Sequence, residues 1–298
     1  YGDHRDLHSF PYTTLFRSSV RAVNGGGFTE SDPLIVTTSQ AAPSSVDAPL
    51  VLLMTAYSLN VTWKKPLEPN GVVQFYFVFR NNSIKYKGNE LSFVDQGLEP
   101  YTVYSYTVEV CTSCNVDCCT QSSPSSRRTT QAAPSGVYPP ALEAESALAI
   151  KISWVTPDKP NGIITQYQVY EVGDSSPIYT GQDMTLTVSG KAPFSKYSFY
   201  ISACTSEGCT QSAPAEVRTK EAPPRDLLAP VATVGGSSFV RVEWNAPLKP
   251  YGVILHYLLT RNGSQVYNGT DLKFNDLTVA PHTVYMYVVT AEIGRAHV

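Results

Sequence analysis

Short runs in which apolar and polar residues alternate dominate this chain. Leu59, Val61 and Trp63 alternate with Asn60 and Thr62, a period of two that turns one face of a strand toward a core. Ile150, Ile152 and Trp154 repeat the pattern, as do Val240, Val242 and Trp244. Each run leads into a stretch with two prolines and a glycine: Pro66, Pro69 and Gly71, then Pro157, Pro160 and Gly162, then Pro247, Pro250 and Gly252. Proline lacks the donor that a central strand needs, and Asn-Gly favours a tight turn, so the chain leaves one sheet there and enters another. A second strand is predicted over 72–80, 163–171 and 253–261, carrying Tyr76, Tyr167 and Tyr257. A later strand holds 98–104, with counterparts over 193–197 and 277–285. No segment carries an apolar stripe at helical spacing, so the expected class is all-β.

The three tryptophans fall 91 and 90 residues apart, and the tyrosine follows each at a distance of 13. A repeat of that length is a whole small domain rather than a solenoid unit, so the chain is an array. Ala-Ala-Pro at 41–43 and 132–134 and Ala-Pro-Pro at 222–224 mark the joints. Three domains are expected over 42–131, 132–222 and 223–292, the third without its last strand. Residues 19–41 read as the last strands of a beheaded fourth, with Gly25-Gly-Gly27 as its final hairpin turn. Short proline-bearing joints should hold successive domains in a semi-rigid string.

Charge narrows the class by exclusion. Only 16% of residues are charged, against about 25% in an average soluble chain, and the net charge is −3. No basic field exists to draw nucleic acid or anionic lipid. No wholly apolar stretch, Leu50–Met54 included, approaches the ~20 residues of a spanning helix. Membrane attachment would therefore come only through segments outside this sequence.

The ends read differently. Residues 10–18 resemble the conceptual translation of a sequencing adapter, and residues 293–298 resemble its complement in another frame. Residues 1–18 and 293–298 are therefore expected to be assembly artefacts.

Together these residues resemble tandem fibronectin type III domains, seven-strand, immunoglobulin-like sandwiches of two antiparallel sheets. Trp63, Trp154 and Trp244 match that family's strand B tryptophan, and Tyr76, Tyr167 and Tyr257 its strand C tyrosine. Tyr104, Tyr197 and Tyr285 match the tyrosine of its corner, whose hydroxyl the resemblance bonds back to main chain. The Leu-x-Pro-x-Thr-x-Tyr form is clearest at 98–104; the second repeat has Val188 and Pro193, and the third an insertion before Pro281.

Within that frame the cysteines fall just after the corner tyrosine, at a hairpin. Cys204 and Cys209 align with Cys111 and Cys119, and directly opposed hairpin residues lie close enough for a disulfide. The pairs expected are Cys204 with Cys209, Cys111 with Cys119, and Cys114 with Cys118. Six cysteines allow 15 connectivities. A zinc site is the rival reading of the Cys111–Cys114 and Cys118–Cys119 spacing. Asn60, Asn81, Asn262 and Asn268 begin glycan acceptor tripeptides, which with paired cysteines argue for a secretory route.

No cofactor, metal or catalytic group is expected. His256 and His282 have no nucleophile or carboxylate at a recurring spacing, and Gly25-Gly-Gly27 lacks the residues of a phosphate loop. Tyr138, Tyr179 and Tyr267 are expected mostly as exposed sandwich surface. The resemblance implies a structural and adhesive ectodomain that meets extracellular protein partners and takes no nucleic acid or small-molecule substrate. The Pro-Asn-Gly turn with the Cys-Thr-Ser…Cys-Thr-Gln-Ser hairpin is similar to the fibronectin run of a very large sensory-cell protein, which supports extracellular links in hearing and vision. The alternatives are the ectodomain of a signalling receptor, such as a receptor tyrosine phosphatase, and an intracellular muscle-type array.

Overall fold

The computed structural model describes residues 15–114 and 118–294, and every regular element among them is a β-strand. The chain divides into two compact units, Tyr1–Ala132 with Asn161–Ile163, and Ala133–Pro160 with Ile164–Val298. The first holds one hydrophobic core and the second holds two.

In the first core-bearing sandwich, Leu50–Thr55, Ser58–Thr62 and Ser92–Gln96 form one antiparallel sheet with Ser58–Thr62 in the middle. The facing sheet runs Ser83–Gly88, Val73–Arg80, Val103–Thr112, with Cys119–Gln121 and Ser125–Arg128 sharing its far edge. The last strand is broken before Pro124, which has no donor to continue it. Ser122 mends the break: its N–H donates to Val108 O at 2.8 Å, and its Oγ accepts the Val108 N–H at 3.0 Å. Ser212 does the same for Ile201 in the second sandwich, at 2.9 and 3.1 Å.

The second sandwich repeats the plan with Ala141–Ala144, Ile150–Ser153 and Thr185–Val188 against Tyr179–Gly181, Gln166–Glu171, Lys196–Thr205, Gly208–Gln211 and Ala215–Arg218. In the third, Val231–Val234, Val240–Glu243 and Lys273–Asp276 face Ser264–Gly269, Ile254–Arg261 and Tyr287–Ile293. That is six strands among the described residues, and its core has five buried members against ten and eight in the other two. Exposed Val284, Met286 and Val288 mark the thinner packing.

Each tryptophan is buried between two tyrosines from the opposite sheet. Trp63 lies 5.8 Å from both Tyr76 and Tyr86 by ring centroids; Trp154 lies 6.1 Å from Tyr167 and 5.9 Å from Tyr179; Trp244 lies 6.0 Å from Tyr257 and 5.6 Å from Tyr267. Such offset aromatic pairs add about 0.5–1.5 kcal/mol to area burial. The Nε1 of all three tryptophans is buried without an acceptor, so the rings are held by packing alone.

Strand starts differ from the pattern-based expectation. The strand predicted over 98–104 begins at Val103, and its counterparts at Lys196 and Tyr287. The residues before them form a corner in which Tyr101, Phe194 and His282 take left-handed φ of 52°, 51° and 54°. A strand cannot pass through that backbone. At the front of the chain, Leu15–Ser18 pairs with Leu34–Thr37 and Arg21–Asn24 with Gly27–Glu30. The first of these strands and Ile293, which pairs with Ile254, belong to the segments expected to be adapter-derived; residues 1–14 and 295–298 lie outside the described residues.

Candidate functional site

A hairpin closes the five-strand sheets, and the repeated cysteines define it. Cys111 is directly opposite Cys119, and Cys204 opposite Cys209, with Cα atoms 4.0 Å apart in each pair. Cys114 is bonded to Cys118 inside the longer loop, so no described cysteine is free. The zinc reading fails for a chemical reason. The one described cluster of potential metal ligands, Glu109 with Cys111 and Cys119, has both sulfurs tied to each other, so it offers no thiolate.

Thr112, Thr120 and Thr210, which follow Cys111, Cys119 and Cys209, have their own task. Thr112 Oγ1 donates to Ala41 O at 2.7 Å, and Thr120 Oγ1 to Pro43 O. Thr210 Oγ1 donates to Pro134 O at 2.6 Å. The disulfide thus fixes a hairpin whose hydroxyls hold the proline-bearing lead in front of the domain. The hairpin of Arg21–Asn24 and Gly27–Glu30 has the same tip without sulfur: Val23 faces Phe28 where Cys204 faces Cys209, and Gly27 and Gly208 share φ of 143°.

The proline-rich turns fasten these two leads a second time, and fasten the lead of the third sandwich as well. Gln40 Oε1 accepts the Val72 N–H at 2.7 Å, Gln131 Oε1 the Ile163 N–H at 2.6 Å, and Glu221 Oε1 the Val253 N–H at 3.2 Å. Main-chain bonds run alongside, from the N–H of Ala41, Ala132 and Ala222 to the carbonyls of Asn70, Asn161 and Tyr251. The three residues whose carbonyls accept these bonds, Asn70, Asn161 and Tyr251, sit in the left-handed region, at φ of 51°, 54° and 50°. A Cβ at Gly71 would lie 2.5 Å from Gln40 Oε1 and 2.9 Å from its Cβ, and one at Gly162 2.2 Å from Gln131 Oε1 and 2.9 Å from its Cβ, so both positions favour glycine.

A charged cluster lies at the inner edge of the first and third sandwiches. Arg80 Nη1 donates to both oxygens of Asp95 at 3.1 Å, and the Tyr106 hydroxyl donates to Asp95 Oδ2 at 2.8 Å. Arg261, Asp276 and Tyr287 repeat this at 2.7 and 2.9 Å. The second sandwich has Glu171, Val188 and Phe199 at these positions, and Glu171 turns to Lys191 instead. Burial pushes the Tyr287 phenol up to about 12, helped by its bond to Asp276. Burial opposes ionisation of Asp276, but bonds from Thr278 and Tyr287 and the Arg261 charge outweigh it and hold the carboxyl below its usual range.

The corner tyrosines accept rather than donate. The hydroxyls of Tyr104, Tyr197 and Tyr285 accept the N–H of Glu99, Ala192 and Ala280 at 2.9, 2.8 and 2.8 Å. Tyr86, Tyr179 and Tyr267 form a second set, accepting the N–H of Glu90, Asp183 and Asp271 at 3.0, 3.0 and 2.8 Å. Tyr179 and Tyr267 are therefore no loose surface: each packs on its tryptophan, half-buried. The signal for them was the repeated Tyr-x-Gly at 86–88, 179–181 and 267–269, where the ring covers the glycine. Tyr138 is exposed and donates to Asp158 at 2.7 Å.

Among the acceptor tripeptides, Asn81, Asn262 and Asn268 are exposed and Asn60 is half-buried. Asn81 and Asn262 occupy matching hairpin tips, their Oδ1 atoms accepting the N–H of Ser105 and Met286 at 3.1 and 2.8 Å. His256 Nε2 lies 3.1 Å from Glu292 Oε2 in the third sandwich, and His282 takes a left-handed φ in the corner turn.

The sequence pattern described as "Fibronectin type III domain" matches residues 44–127 and 138–218. The chain is similar to usherin of Rattus norvegicus, 37% identical over 289 residues, covering 95% of this chain and 6% of that protein. Usherin of Homo sapiens is 36% identical over 273 residues, covering 90% of this chain and 5% of the human protein. A phosphatidylinositol phosphatase of Homo sapiens, PTPRQ, is 27% identical over 271 residues, covering 86% of this chain and 11% of the enzyme. The chain thus spans about a twentieth of the length of the usherins it matches.

Proposed function

Because this chain belongs to the fibronectin type III domain family, we propose that it is a non-enzymatic, structural and adhesive segment of an extracellular string, resembling usherin. The observation that carries the reading is the twofold fastening of the first two leads, by a threonine of a disulfide hairpin and by the turn that Gln40 or Gln131 caps. A chain that must transmit position along its length gains from ordered leads, and disulfides persist outside the cytosol. The finer reading is a part in the extracellular links of sensory cells, at stereocilia and photoreceptors, in hearing and vision. Partners on this reading are matrix or cell-surface proteins that meet its sheet faces and loops. The three exposed acceptor tripeptides suit a glycoprotein.

The second reading, the ectodomain of a receptor phosphatase, is supported by the similarity to PTPRQ at lower identity. Sequencing the complete transcript separates them. Laminin-type modules upstream and a short cytoplasmic tail support the usherin-like reading, and a phosphatase domain downstream overturns it. Six titratable thiols in the denatured, unreduced chain would overturn the extracellular assignment under either reading.

A further inference from the structure

The outward faces of the three-stranded sheets can be compared row by row. Three positions before each tryptophan, the row across the sheet is Leu52–Asn60–Val94 in the first sandwich, Glu143–Lys151–Thr187 in the second and Thr233–Arg241–Asn275 in the third. Alternation turns these residues away from the core, since Leu59 and Val61 on either side of Asn60 are fully buried. In this row the second and third sandwiches show water polar side chains, while in the next row of the third sandwich Val231, beside Glu243 and Lys273, is 67% exposed. The first shows Leu52 and Val94, 44% and 40% exposed, and next to them Leu50, 61% exposed, in a row with Thr62 and Ser92. A contiguous apolar patch on an outer sheet face marks a surface that something covers.

The centre of this patch is an acceptor tripeptide, Asn60-Val61-Thr62, and no other sandwich has one there. The Asn60 side chain is also oriented. Its Oδ1 is buried with no hydrogen-bond partner, whereas Nδ2 bonds to nothing in the protein and is not among the enclosed atoms. One end of the amide is thus enclosed and the other faces outward, and with the nitrogen at the outward end a sugar is carried without moving the side chain.

We infer that Asn60 carries an N-linked glycan whose first sugars lie over Leu50, Leu52 and Val94, covering the first sandwich where charged rows serve the others. The inference rests on the secretory reading above. In the transfer, Asn60 Nδ2 forms a bond to the anomeric carbon of a lipid-linked oligosaccharide. The bond from that carbon to the diphosphate breaks, the lipid diphosphate leaves with the electron pair, and one amide proton is lost. A pyranose has a face of C–H groups that can replace water on the leucines, while its hydroxyls keep the surface wet.

The test uses the whole chain secreted from mammalian cells. Peptide N-glycosidase in 18O-water converts each glycosylated asparagine to a mass-tagged aspartate, and the tag is expected at Asn60. Tags at Asn81, Asn262 or Asn268 with Asn60 bare would overturn this inference and leave the secretory reading standing. A chain with free thiols and no tag anywhere would overturn both. Trimming the glycan from the folded protein, and the variant Asn60→Gln, should each raise apolar dye binding several-fold and produce concentration-dependent self-association in sedimentation. The variant Asn60→Lys with Leu52→Glu and Val94→Thr, which installs the second sandwich's row, should show neither despite lacking sugar. Trimmed protein that matches the untrimmed in both readouts would overturn the shielding role.

Discussion

Tyr106 donates its hydroxyl to Asp95 across 2.8 Å inside the first sandwich, and the second sandwich lacks both groups at once, with Phe199 and Val188 in their places. The pair is lost together because neither is tolerable alone. A buried carboxylate without its donors is costly, and a phenol without an acceptor wastes its desolvation. Asp95→Val should therefore cost about 3–5 kcal/mol, since it strands Arg80 and Tyr106. Adding Tyr106→Phe should make the loss less than additive. Urea unfolding of the single and double variants gives the comparison, and simple additivity would contradict the coupling.

Titration should reach the third sandwich from both sides. Tyr287 is pushed from 10.0 up to about 12, so the stability it contributes is complete below pH 10 and is lost as pH rises toward 12. The Asp276 carboxyl is held below 3.8, so its contribution is present above that pH and is lost as pH falls through the lowered value. The lowest-melting calorimetric transition should fall in both windows, and Tyr287→Phe should flatten the alkaline one alone.

Gly71→Ala should destabilise the first sandwich by about 1–3 kcal/mol, because the new methyl meets the Cβ of Gln40 at 2.9 Å as well as its tip. Gln40→Ala added to it should recover part of that loss while baring the Val72 N–H. Hydrogen exchange at Val72 in the four proteins of the cycle reads the bond directly. Equal exchange in all four would deny the contact.

Replacing Cys204 and Cys209 by serine should cost about 2 kcal/mol, the chain-entropy value for so short a loop. The larger change should be local: faster proteolysis between the lead at Pro134 and the hairpin that holds it. Limited digestion followed by mass mapping would show this, and an unchanged cleavage pattern would deny the hairpin its role.

The all-β class and the disulfide partners were legible because they are local or periodic. Strand parity placed Trp63 and Leu59 inward, and Cys204 and Cys209 were opposed by a hairpin only five residues long. Relationships across the sandwich were not legible. Arg80 meets Asp95 from the opposite sheet, and Gln40 meets Val72 from 32 residues away, so neither leaves a periodic trace. Tyr179 and Tyr267 read as surface because they lie on edge strands and their tryptophan partners come from the opposite sheet, which leaves no periodic trace.

The seating of Gln40 on Val72 also bears on how such an array is copied. The recognisable pattern of the first domain begins at Ser44, yet its bonds begin four positions earlier, with a side chain that a duplication cut at the pattern's edge would leave behind. Gln131 and Glu221 hold the same place ahead of the next two turns. The unit that keeps its front fastening is therefore the lead together with the sandwich after it, and a segment cut at the proline would be a domain without that fastening.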